Sequence, residues 1–135
     1  MNYDVAKAYL LSKPEAWLDY PFGGDVAVFK IDRKMFATLG EESESGVPVA
    51  RMNLKCDPDE ALILRDIFDA VVPGYHMNKT HWNTVVLNGS IPPGELERMI
   101  DASYGLVVGS LTKKLQQGLV LRWGAQTIFG TQHQG

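Results

Sequence analysis

The chain of 135 residues has one cysteine, no long apolar run and no excess of basic residues. A single Cys56 cannot form a disulfide within the chain, so we expect a reducing compartment. No apolar run approaches the roughly 20 residues needed to span a bilayer. Residues 1–4 lack the positive charge that precedes the apolar segment of a signal peptide. The expectation is a cytoplasmic protein with no membrane partner.

Positive charge is scarce as well. The net charge is −3 and the pI is about 5.5, whereas proteins that hold nucleic acid with a whole surface are usually strongly basic. The charge is also uneven. Residues 1–75 carry 8 Lys/Arg and 13 Asp/Glu, a net of −5, and residues 76–135 carry 5 and 3, a net of +2. The sequence is therefore compatible only with a modest, local basic patch.

Motifs for catalysis are also lacking. There is no Gly-rich phosphate loop of either common type. Cys56 could pair with His76 or His81, but a lone cysteine usually fills an apolar core. The two histidines are separated by four residues, a spacing that suits zinc, yet two further ligands are not visible. The carboxylates of residues 57–60 are explained by helix capping. We predict no enzyme, no metal and no cofactor.

Apolar spacing in the first 46 residues predicts a helix, three strands and a loop. A helix over 4–12 would end before Pro14 and bury the stripe Val5, Ala8, Tyr9 and Leu11. β-rich runs predict strands, the second and third forming a hairpin, over 16–20, 26–31 and 35–39. Residues 41–46 contain three glutamates and no apolar anchor, and are predicted to form a solvated loop.

The middle of the chain has the clearest patterns. Residues 48–56 alternate and predict an antiparallel strand whose apolar side is Ala50, Met52, Leu54 and Cys56. A helix should begin after Asp57, with Asp57 as its cap, Pro58 in its first turn and Glu60 at the capping-box position. Its predicted buried stripe is Ala61, Leu64, Ile67 and Phe68.

Two strands, a third helix and a tail complete the prediction. The strands are 71–77 and 82–87, and the helix would bury Leu96, Met99, Ile100, Tyr104 and Val107 or Val108. Beyond Lys113-Lys114 a strand is possible over 119–123, and 131–135 is predicted as a frayed end. The fold class is thus a two-layer arrangement of α and β elements with a mainly antiparallel sheet. We place one domain at 1–117 and leave the extension 118–135 unassigned.

Residues 73–83 are dense in groups that recognise ligands, and their candidate contacts are Tyr75, His76, Asn78, Lys79, His81, Trp82 and Asn83. If 78–81 form the turn, Met77 faces Trp82 and His76 faces Asn83. Two interpretations stay open. Either these groups hold a tight hairpin together, or the hairpin is an exposed wing with Lys79 and His81 at its tip.

The wet face of the sheet is the second candidate surface, with Lys30, Arg51, Asn53 and Lys55. If helices cover one face only, these side chains could lie together on the other, where cations contact phosphates and amides reach base edges. The solvent-exposed face of a sheet also commonly carries Lys and Arg for solubility alone. Lys113-Lys114 is either another basic cluster or a solvated helix end at the negative pole of the helix dipole.

These residues resemble the MmcQ/YjbR family of small bacterial proteins over about residues 3–116. The most specific match is Pro73-Gly74-Tyr75-His76-Met77-Asn78-Lys79 followed by His81-Trp82-Asn83-Thr84. Other matches are Asp19-Tyr20-Pro21-Phe22-Gly23, Val28-Phe29-Lys30, Lys34-Met35-Phe36-Ala37, Asn53-Leu54-Lys55-Cys56-Asp57-Pro58, Ser103-Tyr104, Leu106-Val107-Val108 and Lys113-Lys114-Leu115. Thr80, at a position often basic in the family, and Gly105, at a frequent Asp, depart from the pattern.

The resemblance implies an α+β fold of order α-β(3)-α-β(2)-α, similar to secretion-chaperone-like domains. It also implies the label that the family carries, a double-wing DNA-binding module, although a fold alone does not establish a function. Two hypotheses follow. The first is DNA contact through the Lys79/His81 hairpin, assisted by Lys30, Arg51 and Lys55. The second is an adaptor that binds a protein or small ligand on the uncovered sheet face, with Tyr75 and Trp82 as anchors.

Overall fold

The computed structural model describes residues 1–130, so the predicted frayed end at 131–135 lies outside the described residues. The elements are α1 (Tyr3–Ser12), β1 (Ala16–Asp19), β2 (Ala27–Ile31), β3 (Lys34–Glu44), β4 (Val47–Lys55), α2 (Pro58–Ile67), β5 (Val71–Pro73), β6 (Trp82–Val86), α3 (Pro93–Gly109), α4 (Lys113–Trp123) and α5 (Ala125–Phe129). The strands form one antiparallel sheet in the order β1-β2-β3-β4-β6-β5. The predicted α+β fold with an antiparallel sheet is confirmed. The order α-β(3)-α-β(2)-α that the resemblance implies is not exact, because four strands lie between α1 and α2, and α4 and α5 follow α3.

One face of the sheet carries the core, because α1 and α3 pack against it. The rings of Phe36 on β3 and Tyr104 on α3 meet edge to face, with centroids 5.3 Å apart. The buried hydroxyl of Ser103 donates to the carbonyl of Phe36 at 2.5 Å and accepts from the amide of Lys55 at 2.9 Å. Helix α3 is therefore fastened to both central strands, and none of the helices within residues 1–130 packs on the opposite face.

The predicted helices are present, but two buried stripes were only partly right. In α1 the buried side chains are Ala6 and Leu10, while Val5 is 52% exposed. Of the predicted stripe only Tyr9 packs against the core, because several apolar residues share the short helix and spacing alone cannot choose among its faces. In α2, Ala61 and Leu64 are buried as expected, but Ile67 is 62% exposed.

The start of α2 and the alternation of β4 agree with the sequence. Oδ2 of Asp57 accepts from the amide of Glu60 at 3.2 Å, which confirms the cap. The Glu60 carboxylate instead pairs with Arg98 at 2.7 Å. Along β4 every second residue is buried from Ala50 onwards, and this alternation continues to Cys56, one residue beyond the end of the strand. The buried stripe of α3 also matches the prediction.

The predicted loop over 41–46 is wrong. Strands β3 and β4 continue as a hairpin up to the pair of Glu44 and Val47. The turn is made by Ser45 and Gly46, with φ angles of 51° and 80°, and such positive angles match the twist of a two-residue hairpin turn. Exposed charge indicates solvent contact but does not reveal backbone pairing with a distant strand.

The C-terminal part was also predicted wrongly. Residues 119–123 belong to helix α4, and the boundary at 117 falls inside that helix. Oγ1 of Thr112 caps α4 by accepting from the amide of Leu115 at 3.3 Å. Lys113-Lys114 therefore begins the helix at the positive pole of its dipole, opposite to the predicted end. Across residues 1–130, no helix combines the length and apolarity needed to cross a membrane.

Candidate functional site

Three polar side chains cross the uncovered face of the sheet. The register pairs Thr38 with Asn53 and Asn53 with Thr84, and directly paired residues of antiparallel strands point to the same face. The hydroxyl of Thr84 donates to Oδ1 of Asn53 at 2.5 Å, and Nδ2 of Asn53 donates to Oγ1 of Thr38 at 3.0 Å. These side chains form a polar strip over three central strands.

A groove of about 550 Å³ lies over this strip. Its floor comes from β3, β4 and β6, one wall from the connection between β1 and β2, and the other from the connection between β5 and β6. The lining residues are Phe22, Asp25, Val26, Met35, Thr38, Gly40, Glu41, Glu42, Arg51, Asn53, Tyr75, His76, Met77 and Thr84. Two of the predicted wet-face residues, Arg51 and Asn53, therefore meet part of the predicted hairpin in one site.

The hairpin itself differs from the prediction. Strand β5 ends at Pro73, which pairs with Asn83, so residues 74–81 form a long connection between the strands. Residues 78–81 do form the predicted turn, in which the amide of His81 donates to the carbonyl of Asn78 at 3.2 Å, but this turn does not join the two strands directly. His76 has φ of 58° and is not in a strand. The predicted pairs of Met77 with Trp82 and of His76 with Asn83 are therefore wrong. The backbone leaves the sheet after Gly74, whose amide donates to the Trp82 carbonyl at 2.9 Å.

Thr84 connects this loop to the groove floor. Its Oγ1 accepts from the backbone amide of Tyr75 at 2.9 Å. The ring of Tyr75, 59% exposed, lies 4.1 Å from the ring of His76, centroid to centroid. Tyr75 and His76 thus form a wall whose backbone is anchored to the floor.

Arg65 of α2 supports the loop from the helix-covered side of the sheet. Its Nε donates to Oδ1 of Asn83 at 2.7 Å, and its Nη2 donates to the carbonyls of Lys79 and Trp82. Asn83 is 2% exposed, and its Nδ2 donates to the Ala61 carbonyl at 3.4 Å. Asn83 thus lies beneath the loop on the helix side, away from the groove.

Arg65 was not predicted from the sequence as a site residue, although its spacing from the buried stripe of α2 indicated a role. Arg65 lies four residues after Ala61 and therefore shares a flank with the buried stripe of α2. A guanidinium beside an apolar stripe needs buried acceptors, because leaving it unpaired there is costly. The loop carbonyls and Asn83 supply those acceptors.

The predicted basic residues are mostly engaged within the protein. Nζ of Lys30 lies 2.8 Å from the Asp19 carboxylate, and Arg51 lies 3.6 Å from Glu42. Nζ of Lys79 donates to the carbonyl of Gly74 at 3.0 Å. Lys55 is half-buried on β4 and lies opposite Trp82 of β6 in the strand register. The structure does not gather Lys30, Lys55 and Lys79 around the groove.

The tip of the loop, residues 78–81, is exposed, as the wing interpretation required. Within it, Oδ1 of Asn78 accepts from the amide of Thr80 at 2.9 Å, and the carbonyl of His81 accepts from the amide of Cys56 at 2.8 Å. The tip therefore reaches solvent, while its backbone and Lys79 are held by internal bonds.

Cys56 is buried just after the end of β4 and is not among the residues that line the groove. Burial raises the pKa of the Cys56 thiol to about 11, with nearby Glu60 and Asp57 adding to the effect. At neutral pH the reactive thiolate is therefore disfavoured. In the part of the chain that the structure describes, no three His, Cys, Asp or Glu side chains come together as a metal site would require.

Comparison with known sequences and structures places this geometry among related proteins. The sequence model of the YjbR family matches residues 11–106. The uncharacterised protein YbdF of Escherichia coli O157:H7 is 39% identical over 115 residues, covering 85% of this chain and 91% of that protein. The uncharacterised protein YjbR of Escherichia coli K12 is 33% identical over 113 residues, covering 83% and 92%.

Solved structures of similar proteins share the fold. The crystal structure of a Deinococcus radiodurans protein with a DUF419 domain has a TM-score of 0.77 at 30% identity and covers 87% of each chain. A crystal structure from Pseudomonas syringae has a TM-score of 0.70 at 31% identity, covering 78% of this chain and 98% of that one. None of these names describes an enzyme.

Proposed function

This chain belongs to the YjbR family, and we propose that it is a non-enzymatic binding module that holds a small-molecule ligand in the groove on the uncovered face of its sheet. The observation that carries the proposal is the groove itself, about 550 Å³ in volume. Sites for small molecules usually measure about 300–1,000 Å³ and combine apolar walls with a few placed polar groups. This groove has both.

The construction of the groove supports a preformed site. Its floor lies on strands whose register is set by the sheet, and Thr84 joins the loop wall to that floor. Arg65 holds the same loop from the helix side through its bond to the carbonyl of Lys79. A wall with supports on two sides loses little conformational freedom when a ligand binds, and this reduces the cost of binding.

A substitution that fills the groove tests the proposal. Gly40 lies on β3 in the groove lining, and a Cβ added there would make ordinary contact with the Asp25 carbonyl at 3.7 Å. Gly40→Val should therefore preserve the fold and occupy ligand space. Ser43→Val is the matched control, because Ser43 lies exposed on the same strand outside the groove lining.

The measurement is an amide-resolved NMR screen with uncharged aromatic fragments such as 3-phenylpropanol and indole. We expect concentration-dependent shifts at Thr38, Asn53, Thr84 and Tyr75, which Gly40→Val should abolish and Ser43→Val should keep. Shifts scattered over the whole surface, or shifts unaffected by Gly40→Val, would contradict the proposal.

DNA contact through the loop tip is the second candidate, and the exposure of residues 78–81 favours it. The internal bonds of Lys79, Lys30 and Arg51 weigh against it, because phosphate contacts use available cations. Anisotropy with a short labelled duplex decides the matter. True phosphate contacts require affinity to fall steeply between about 50 and 200 mM salt, and Lys79→Ala should lower the slope by about 1. Lys114→Ala, on α4, serves as the control.

A further inference from the structure

The charge and aromatic character of the groove indicate the class of its ligand. We infer that the groove takes a small organic cation, an ammonium group carried on a compact apolar body. This inference rests on the proposed function, since it specifies the ligand of the same groove. Three features of the lining carry it: the balance of charge, the exposed aromatic rings and the position of the groove at the centre of the sheet.

The lining is acidic. Its acidic residues include Asp25 and Glu42, and Arg51 is the single lysine or arginine among the described residues that line the groove. Glu41 also borders the groove, but it pairs with the buried Ala50, so its side chain faces the helix-covered side of the sheet. Arg51 lies 3.6 Å from Glu42, so these two charges largely offset each other. Asp25 is then the acidic lining residue that is not offset, and its negative charge attracts a cation and repels an anion.

Two aromatic rings lie exposed at the same groove. Phe22 in the connection between β1 and β2 is 73% exposed, and Tyr75 on the opposite wall is 59% exposed. The face of an aromatic ring attracts an ammonium group, and aromatic side chains commonly surround such ligands. Met35 and Met77, also in the lining, offer adaptable apolar surface for the rest of the molecule.

The position of the groove distinguishes a small molecule from an extended peptide. Its floor strands are all internal: β3 pairs with β2 and β4, β4 with β3 and β6, and β6 with β4 and β5. Peptides that bind to sheets usually add a strand at a free edge, where unpaired backbone groups supply the affinity. No such edge lies in this floor, so side chains must supply the contacts, and the groove is of small-molecule size.

Three probes with one body and different charge test the inference: 3-phenylpropylammonium, 3-phenylpropanol and 3-phenylpropionate. Their affinities are measured from the amide shifts of Thr38, Asn53 and Thr84. We expect the cation to bind about tenfold more tightly than the alcohol, and the anion more weakly than either. High salt should reduce the preference, because exposed charges are screened.

A charge-matched pair of variants identifies the group responsible. Asp25→Asn should bring the cation close to the affinity of the alcohol. Asp66→Asn removes the same charge from an exposed position outside the groove lining and should leave the preference intact. A loss of preference in both variants would mean that net charge, and not the groove, selects the cation, and would overturn the inference.

The remaining outcomes separate this inference from the proposed function. If the three probes bind in the groove with equal affinity, or if the anion binds best, the cation inference is wrong and the groove remains a binding site. If none of the probes perturbs the groove while the fold is intact, the proposed function fails, and the inference fails with it.

Discussion

Nε of Arg65 donates to Oδ1 of Asn83 at 2.7 Å and so joins helix α2 to strand β6 directly beneath the loop that forms one wall of the groove. The same guanidinium reaches the carbonyls of Lys79 and Trp82. One side chain therefore satisfies three acceptors from two parts of the chain. The shape of the groove depends on a residue that does not line it.

Arg65→Ala should destabilise the protein by about 1–3 kcal/mol, because the buried Oδ1 of Asn83 would lose its donor. Urea unfolding measures the loss, and hydrogen exchange should show faster opening of residues 74–82. Arg33→Ala, at an exposed turn position, should change stability by no more than about 0.5 kcal/mol. Equal effects of the two substitutions would refute the role given to Arg65.

Gly74→Ala should also destabilise the protein. A Cβ at this position would lie 2.9 Å from both the Cβ and the carbonyl oxygen of Trp82. Relief of such overlap requires a backbone shift, which typically costs about 1–3 kcal/mol. At Gly94 in α3 an added Cβ meets nothing within 4 Å, so Gly94→Ala should be neutral or stabilising by up to about 1 kcal/mol. Thermal and urea unfolding of the two variants compare them directly.

Thr84→Val tests the anchor between the loop and the groove floor. Valine keeps the shape but removes the hydroxyl that accepts from Tyr75 and donates to Asn53. We expect a loss of about 1–3 kcal/mol and shifted amide signals at Tyr75 and His76. Thr127→Val, at an exposed position of α5, is the control. Unchanged loop signals in Thr84→Val would show that the anchor is not needed.

The contact between Glu15 and helix α4 should be sensitive to acid. Hydrogen bonds from Arg122 and then Trp123 hold the pKa of Glu15 below its ordinary value of 4.5. A lowered pKa means that the ionised form is favoured in the folded state, so the stabilisation is present above pH 4.5 and is lost as the pH falls through the lowered value. The exposed pair makes this a small effect.

The indole Nε1 signal of Trp123 reports this contact, since that group donates to Glu15 at 2.8 Å. It should move on acidification in the natural protein. In Glu15→Gln the Trp123 signal should lie, already at neutral pH, near the position that it reaches at low pH in the natural protein, and it should not move on acidification. A signal that titrates identically in both proteins would contradict the assignment.

Local sequence patterns predicted much of the fold, because the side-chain periodicity of helices and strands depends only on nearby residues. The alternation of β4 shows which side chains face the core, and the cap at Asp57 marks the start of α2. The same alternation placed Arg51 and Asn53 on the wet face, where the groove has them. The loop over 41–46 and the strand at 119–123 were wrong, because long-range pairing and packing override weak local preferences.

The site was predictable in part. Tyr75 and His76 were identified by their chemistry, and Arg51 and Asn53 by alternation. Phe22 and Asp25 on the opposite wall were not singled out, because turn residues in an ordinary Pro-Gly segment carry no local sign of what they face. Asn83 shows the converse: its amide suggested a contact surface, but the fold directs it toward Arg65.

The sequence alone determined the family resemblance, most of the elements and the side chains that face the core along β4 and α3, because hydrophobic periodicity follows directly from the geometry of helices and strands. Only the tertiary structure decided which residues share the groove and how its charges are paired. Both depend on strand order and on loops that bring positions as distant as 22 and 75 to one site, and no local pattern records those distances.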